Sequence, residues 1–218
     1  AGEGNDAFLV AAPLVSGLAD RLREAGLDTF GPGAAAAMIE GSKAFSKEFM
    51  ARHGIPTARF RVFEDASEAS RYLLSGEASY PLVVKADGLA AGKGVVIAHD
   101  PASAVETAKH MLSGGAFGAA GRRIVVEELL RGREVSFFVL SDGTTSLELA
   151  SCQDYKRAEN ADSGPNTGGM GTYSPSAWLD DATTQILRGD GRRPDRTRTR
   201  RRRAPVSRRV VHRRHVDG

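Results

Sequence analysis

The stretch Lys85–Ala98, KADGLAAGKGVVIA, sets two lysines and three glycines between two apolar runs. It is not a phosphate loop of the G-x-x-x-x-G-K-[ST] kind, because only three residues separate Gly88 from Gly92 and Gly94 stands where the hydroxyl belongs. A dinucleotide fingerprint fails as well: Gly92-Lys93-Gly94 runs into Val95-Val96-Ile97 with no third glycine and no helical pattern. Upstream, Tyr80–Ala86 reads as a strand carrying Lys85 near its end, and Val95–His99 reads as a second strand. The pair forms a hairpin whose glycine-rich tip offers backbone N–H groups. Such a flap folds over a polyphosphate, with Gly88, Gly92 and Gly94 permitting close backbone approach while Lys85 and Lys93 supply charge. Taken by itself, the same pattern also describes a surface hairpin with solvated lysines.

The 218 residues suffice for one large domain or two small ones, and a hydrophobic content of 41% is ordinary. No apolar run approaches the ~18 residues of a membrane span, and the first residues, AGEGNDAFLV, lack a basic signal-type region. A soluble, cytoplasmic protein is the expectation. The single cysteine, Cys152, has no internal partner, and His53, His99, His110, His212 and His215 show no metal-ligand spacing with it. Charge is unevenly spread: residues 188–218 hold 13 Arg and 3 Asp, a net of +10, against −7 for the rest. The chain therefore reads as an acidic body with a basic tail.

Leucines 14, 18 and 22 predict a helix over Ala12–Ala25 closed by Gly26, and Ser42 is placed to cap a helix over Lys43–His53 that has Phe45 and Phe49 on one face. Asp65 and Glu68 have capping-box spacing before a helix Ala66–Ser75, and Asp100-Pro101 opens another that runs to about Ser113. Further strands are expected at Arg123–Leu129, Glu134–Leu140 and Thr144–Ser151, the last two flanking a Ser141-Asp142-Gly143 hairpin turn. This interleaving predicts an α+β fold with an antiparallel component. Cys152–Pro175 reads as a long, glycine-rich functional loop, and residues beyond Leu187 as disordered.

The flap has company. Gly41-Ser42-Lys43 places another lysine at a helix start, and Ile124–Leu130 is an apolar strand ending in Glu127 and Glu128, which taken alone is also a solvated strand terminus. In combination, GSK, VKADGLAAGKGV (84–95), VVEELLRGREVSF (125–137), QDYKR (153–157) and GPNTGGMGTYSP (164–175) resemble the ATP-grasp ligases. Within them they look like the phosphoribosylamine–glycine ligase family, the glycinamide ribonucleotide synthetases of purine biosynthesis, over roughly residues 12–187.

The resemblance implies an ATP-grasp fold, two α+β subdomains clasping ATP, here truncated. It divides the chain into a remnant of an N-terminal nucleotide-fold domain (1–35), a linker with the first ATP-grasp helix (36–60), a lid subdomain (61–131), a partial second subdomain (132–187) and the Arg-rich tail (188–218). It implies that Lys43 and Lys85 contact ATP phosphates, Lys85 also serving catalysis, with residues 88–95, including Gly88, Gly92, Lys93, Gly94 and Val95, as the flap. Glu127 and Glu128 mark the hinge, where backbone groups of Glu128 and Leu130 pair with adenine and Glu134 receives the ribose hydroxyls. Asp154, Lys156 and a catalytic Arg157, with Asn166, Thr167, Gly168, Gly169 and Gly171, form the acceptor side for glycine and 5-phosphoribosylamine. A loop with a charged edge is the plainer reading of that segment. The implied reaction makes glycyl phosphate from glycine and ATP with Mg2+, then glycinamide ribonucleotide, ADP and phosphate.

Departures from the family pattern temper this. There is no G-N-G-G-R-E-H-type loop, Leu9-Val10-Ala11 stands where Gly-Pro-Glu is expected, and no E-F-N-type magnesium segment follows Leu187. A poorly active fragment is expected, with no metal ligands in the matching part. Residues from about Arg188 onward read as a frameshifted product of a GC-rich gene. The competing reading is a polycationic arm for nucleic acid or an anionic surface. Other ATP-grasp carboxylate–amine ligases remain the alternative function.

Overall fold

The computed structural model describes residues 13–88, 94–114, 118–141, 144–160 and 163–188. These form two compact units that divide between Leu130 and Arg131. The predicted flap tip with Gly92 and Lys93, and the whole Arg-rich tail, lie outside the described residues.

In the first unit, a helical turn at residues 13–15 gives way to α1 (Leu18–Glu24), then α2 (Ala34–Gly41), α3 (Lys43–Arg52), β1 (Phe60–Phe63), α4 (Ala66–Leu74), β2 (Leu82–Ala86), β3 (Val95–Ala98), α5 (Pro101–Leu112) and β4 (Ile124–Glu128). The helix expected over residues 12–25 is broken at Ser16-Gly17, where Gly17 takes φ 81° and its N–H bonds Leu14 O at 3.0 Å. Leucine spacing alone did not reveal that turn. The caps read from sequence are present. Ser42 accepts from Phe45 N, Asp65 from Ser67 N and Glu68 N, and Asp100 from Ser103 N, each satisfying an amide that the helix start leaves open. Two elements escaped the pattern: α2, whose four alanines show no apolar stripe, and β1, a four-residue strand. Helix α2 is set by tertiary contacts, since Asp20 accepts from Ala34 N at 2.7 Å and a Cβ on Gly41 would sit 2.7 Å from Val15 Cγ2.

The four strands pair in the order β1-β4-β2-β3, all antiparallel. Period-two alternation gives the sheet two faces. Leu82, Val84, Ala86, Ile124 and Val126 join Leu73 of α4 and Met111 of α5 in the core, where each Val, Leu, Ile or Met side chain contributes roughly 1.5–3 kcal/mol on full burial. The alternate residues Val83, Lys85, Val125 and Glu127 therefore face the other way, with α3 packed against β4.

The second unit contains β5 (Val139–Ser141), β6 (Ser146–Glu148), β7 (Gln153–Glu159), β8 (Ser163–Tyr173) and α6 (Asp181–Arg188). Strands β5 and β6 pair as the predicted hairpin, with Ser141 opposite Ser146, although both strands are shorter than the sequence suggested. The glycine-rich segment taken as a loop is instead the antiparallel ribbon β7–β8, with register shifts between Tyr155 and Glu159. Backbone pairing needs no apolar alternation, which is why the polar composition concealed it. Among the described residues of this unit, Val135 and Phe137 are the buried hydrophobics. No helix of the described residues is long and apolar enough to cross a membrane.

Candidate functional site

Lys85 and Glu127 meet because of sheet register. Lys85 lies opposite Val125, so Glu127, two residues along β4 on the same face, is its diagonal neighbour. Lys85 Nζ stands 2.9 Å from Glu127 Oε1 and Lys47 Nζ 2.8 Å from Oε2. The Glu127 side chain is only 5% exposed, so one nearly buried carboxylate holds two ammonium groups. The Lys85 contact is an ion pair off the line of a hydrogen bond, and Oε1 has no hydrogen-bond partner among the described residues. Lys47 also donates to Thr57 Oγ1 at 2.8 Å. Burial pushes the Lys47 ammonium below its ordinary range, and the Glu127 carboxylate opposes that shift.

Lys43 is one helical turn before Lys47 and reaches the same region, with its Nζ donating to Gly88 O at 2.6 Å. Burial lowers its pKa; Asp87 opposes the shift and the nearby Lys85 adds to it. Lys43 and Lys85 thus share one side of the sheet, at the root of the flap.

What fixes that root is Asp87, two residues past Lys85 and without a pattern in the sequence that marks it as a site residue. Its buried carboxylate accepts from Ala44 N at 3.0 Å, from Ser42 Oγ at 3.0 Å, and from Arg123 Nε and Nη2 at 3.0 and 2.6 Å. Asp87 N in turn donates to Arg123 O at 2.9 Å. One side chain ties the end of β2 to the start of α3 and the entry to β4. Burial would raise its pKa, but the Ala44 amide, Arg123 and Ser42 together outweigh that and hold it below the usual carboxylate range. Gly88 follows at φ 79°, where an added Cβ would lie 3.2 Å from Ala120 Cβ. Gly88→Ala should therefore cost about 1–3 kcal/mol, from left-handed backbone and crowding together, read as a lower urea midpoint. An unchanged midpoint would contradict it. Gly94 is buried and accepts from Ala86 N at 2.8 Å, and Val95 lies opposite Lys85.

At the end of β4, Glu128 does not hang free in solvent. Its carboxylate accepts from Arg59 N and Nε at 2.9 and 2.8 Å, and its own N–H donates to Arg59 O at 3.0 Å. The Arg59 amide, partly offset by desolvation, with its guanidinium lowers the Glu128 pKa. Leu130, 45% exposed, follows.

In the second unit, Glu134 is exposed. Asp154 and Lys156 pair with each other at 2.9 Å, and Arg157 Nη1 donates to Gly164 O at 3.0 Å across the ribbon. Asn166 lies opposite Arg157 in register. Thr167 Oγ1 donates to Lys156 O at 2.9 Å and accepts from Gly169 N at 3.1 Å. Gly168 and Gly171 are exposed along β8. These residues are neighbours on one ribbon, with their charges already mutually engaged.

The family described as phosphoribosylglycinamide synthetase, ATP-grasp (A) domain, matches residues 41–189. This chain belongs to that family. The phosphoribosylglycinamide synthetase match takes in α3, the flap hairpin, the Asp87 knot and the β7–β8 ribbon. Phosphoribosylamine–glycine ligase of Pseudomonas aeruginosa is 56% identical over 165 residues, covering 76% of this chain and 38% of the relative. That of Escherichia coli K12 is 53% identical over 174 residues, covering 80% and 40%. The chain thus spans about two fifths of the length of these relatives. Among solved structures, phosphoribosylamine–glycine ligase of Thermotoga maritima matches with a TM-score of 0.65 at 36% identity, covering 73% of this chain and 40% of that one. D-alanyl-alanine synthetase A of Vibrio cholerae, at 14% identity and a TM-score of 0.61 over 80% of this chain and 53% of that one, shows the shared fold. The ATP-grasp, α+β expectation is met by both the architecture and these likenesses.

Among the described residues, no three His, Cys, Asp or Glu side chains gather as a metal site.

Proposed function

We propose that the protein serves phosphoribosylamine–glycine ligase chemistry, joining glycine to 5-phosphoribosylamine at the expense of ATP through a glycyl phosphate. The convergence of Lys43 and Lys85 at the root of a glycine-flanked hairpin, within a family member, carries this reading. Here the two ammonium groups neutralise and orient phosphate oxygens, with Lys85 closest to the transferring group. Little covalent work falls to side chains in such a transfer, so position and charge do most of it. Gly88, Gly94 and Val95 form the described roots of the flap, whose tip carries Gly92 and Lys93.

The hinge residues take the base. Since Glu128 N–H is already spent on Arg59 O, adenine pairing rests on the Glu128 carbonyl and the Leu130 backbone. Glu127 orders the phosphate-binding lysines, and Glu134 is the acceptor for ribose hydroxyls. Acceptor binding is assigned to the ribbon: Asp154 and Lys156 suit a zwitterion, Arg157 acts at the reacting carboxylate, and Asn166, Thr167, Gly168, Gly169 and Gly171 line the strand beside it. For glycine and phosphoribosylamine to bind there, the Asp154–Lys156 pair exchanges partners.

The test is glycine-dependent ADP release in the presence of 5-phosphoribosylamine. With Mg·ATP, glycine should outpace alanine and D-alanine as the carboxylate, at rates well below ~1 per second. Equal rates with D-alanine would replace this substrate assignment with that of another ATP-grasp carboxylate–amine ligase.

A further inference from the structure

We infer that Lys47 is a positioning residue: by occupying one oxygen of the Glu127 carboxylate it keeps Lys85 available to a phosphate instead of locked to its own neighbour. The inference rests on the nucleotide reading above. It starts from a charge imbalance. Two lysines share one carboxylate that is 5% exposed, and only one of them is built in. Lys47, 9% exposed, has a second fixed partner in Thr57 Oγ1 at 2.8 Å and lies 5.9 Å from the Phe60 ring centroid. Lys85 is more open, with 26% of its side chain exposed, and its contact with Oε1 is not a hydrogen bond.

The asymmetry has a direction. Lys47 is the buried, satisfied partner and Lys85 the more exposed one, without a hydrogen bond to the carboxylate. If Glu127 had Lys85 as its sole cation, that nearly buried carboxylate would hold the ammonium tightly, because an unpaired charge in a poorly solvated place is costly. With Lys47 in place, half of that demand is met, and Lys85 can leave for a phosphate oxygen without stranding a buried charge. Lys43 and Glu128 also lie within electrostatic reach of these residues. Lys43 points to Gly88 O and Glu128 to Arg59, so neither takes over the role.

Two measurements on the full 218-residue chain test this. In the first, an amine-acylating reagent reports on Lys85 without any nucleotide, resolved by peptide mass spectrometry. Lys47→Met should slow acylation of Lys85, since Glu127 then holds it alone, and Glu127→Gln should speed it. Faster acylation in both variants would mean only that the packing had loosened, and would overturn the inference. In the second, calorimetry follows binding of the non-hydrolysable analogue AMPPNP with magnesium. Lys47→Met should weaken it by about tenfold, and adding Glu127→Gln should recover part of that loss, a non-additivity expected for charges in one network. Losses that simply add would overturn the proposed role while leaving the nucleotide reading intact. Failure of the unsubstituted chain to bind the analogue would sink that reading, and the inference with it.

Discussion

Asp87→Ala should destabilise the first unit by about 3–5 kcal/mol, the usual cost of breaking a buried, hydrogen-bonded ion pair. Against the ~5–15 kcal/mol that holds a typical domain together, this is a large fraction. The reasons are local. Ala44 is fully buried and Ser42 4% exposed, so removing the carboxylate leaves their donors without an acceptor and without water. Arg123, with 35% of its side chain exposed, can still reach solvent and contributes less to the loss. The sign with pH follows from the lowered carboxyl pKa. A carboxyl depressed below its unfolded value of 3.8 contributes stability that is present above that pH and is lost as pH falls through the folded value. The protein should therefore lose stability in acid below about pH 4, with Asp87→Asn both less stable at neutral pH and flatter in this range. Urea midpoints at pH 7 and below about pH 4 measure both effects. A parent and an asparagine variant with parallel acid profiles would show that Asp87 is not the responsible group.

Lys85→Ala should reduce Mg·ATP affinity by roughly 10- to 100-fold, the range of a charge-assisted hydrogen bond worth about 1.5–3 kcal/mol. Lys93→Ala should reduce it less. The difference is one of ordering cost: Lys85 extends from a paired strand, so its backbone is already fixed before binding. Lys93 belongs to the glycine-rich run between the two strands and lies outside the described residues. Calorimetric titration of both variants decides it. Equal losses would mean that strand anchoring confers no advantage and that charge alone is being read.

Much of the first unit was legible because its signals are local. Ser42, Asp65 and Asp100 announce helix starts through backbone amides a few residues away, and the alternation of Leu82, Val84 and Ala86 marks a strand with a buried face. The flap hairpin and the ligase resemblance rest on contiguous residues, which a linear reading can see. The ribbon β7–β8 was not legible as strands: its glycines and polar residues carry no alternation, and only pairing of one backbone with the other makes it regular. Strand β1 was likewise hidden, being short and dependent on β4 for its partner.

The site divides along the same line. By itself, the order of residues determined the helix caps, the hairpin and the family to which the chain belongs. Only the tertiary structure decided that Lys47 and Lys85 share Glu127, that Asp87 gathers Ser42, Ala44 and Arg123, and that the Glu128 N–H is already taken by Arg59. Caps and turns act over a few residues and leave a pattern in sequence. A carboxylate buried between segments 36 to 80 positions apart in the chain leaves none, because its partners are chosen by strand register and helix packing.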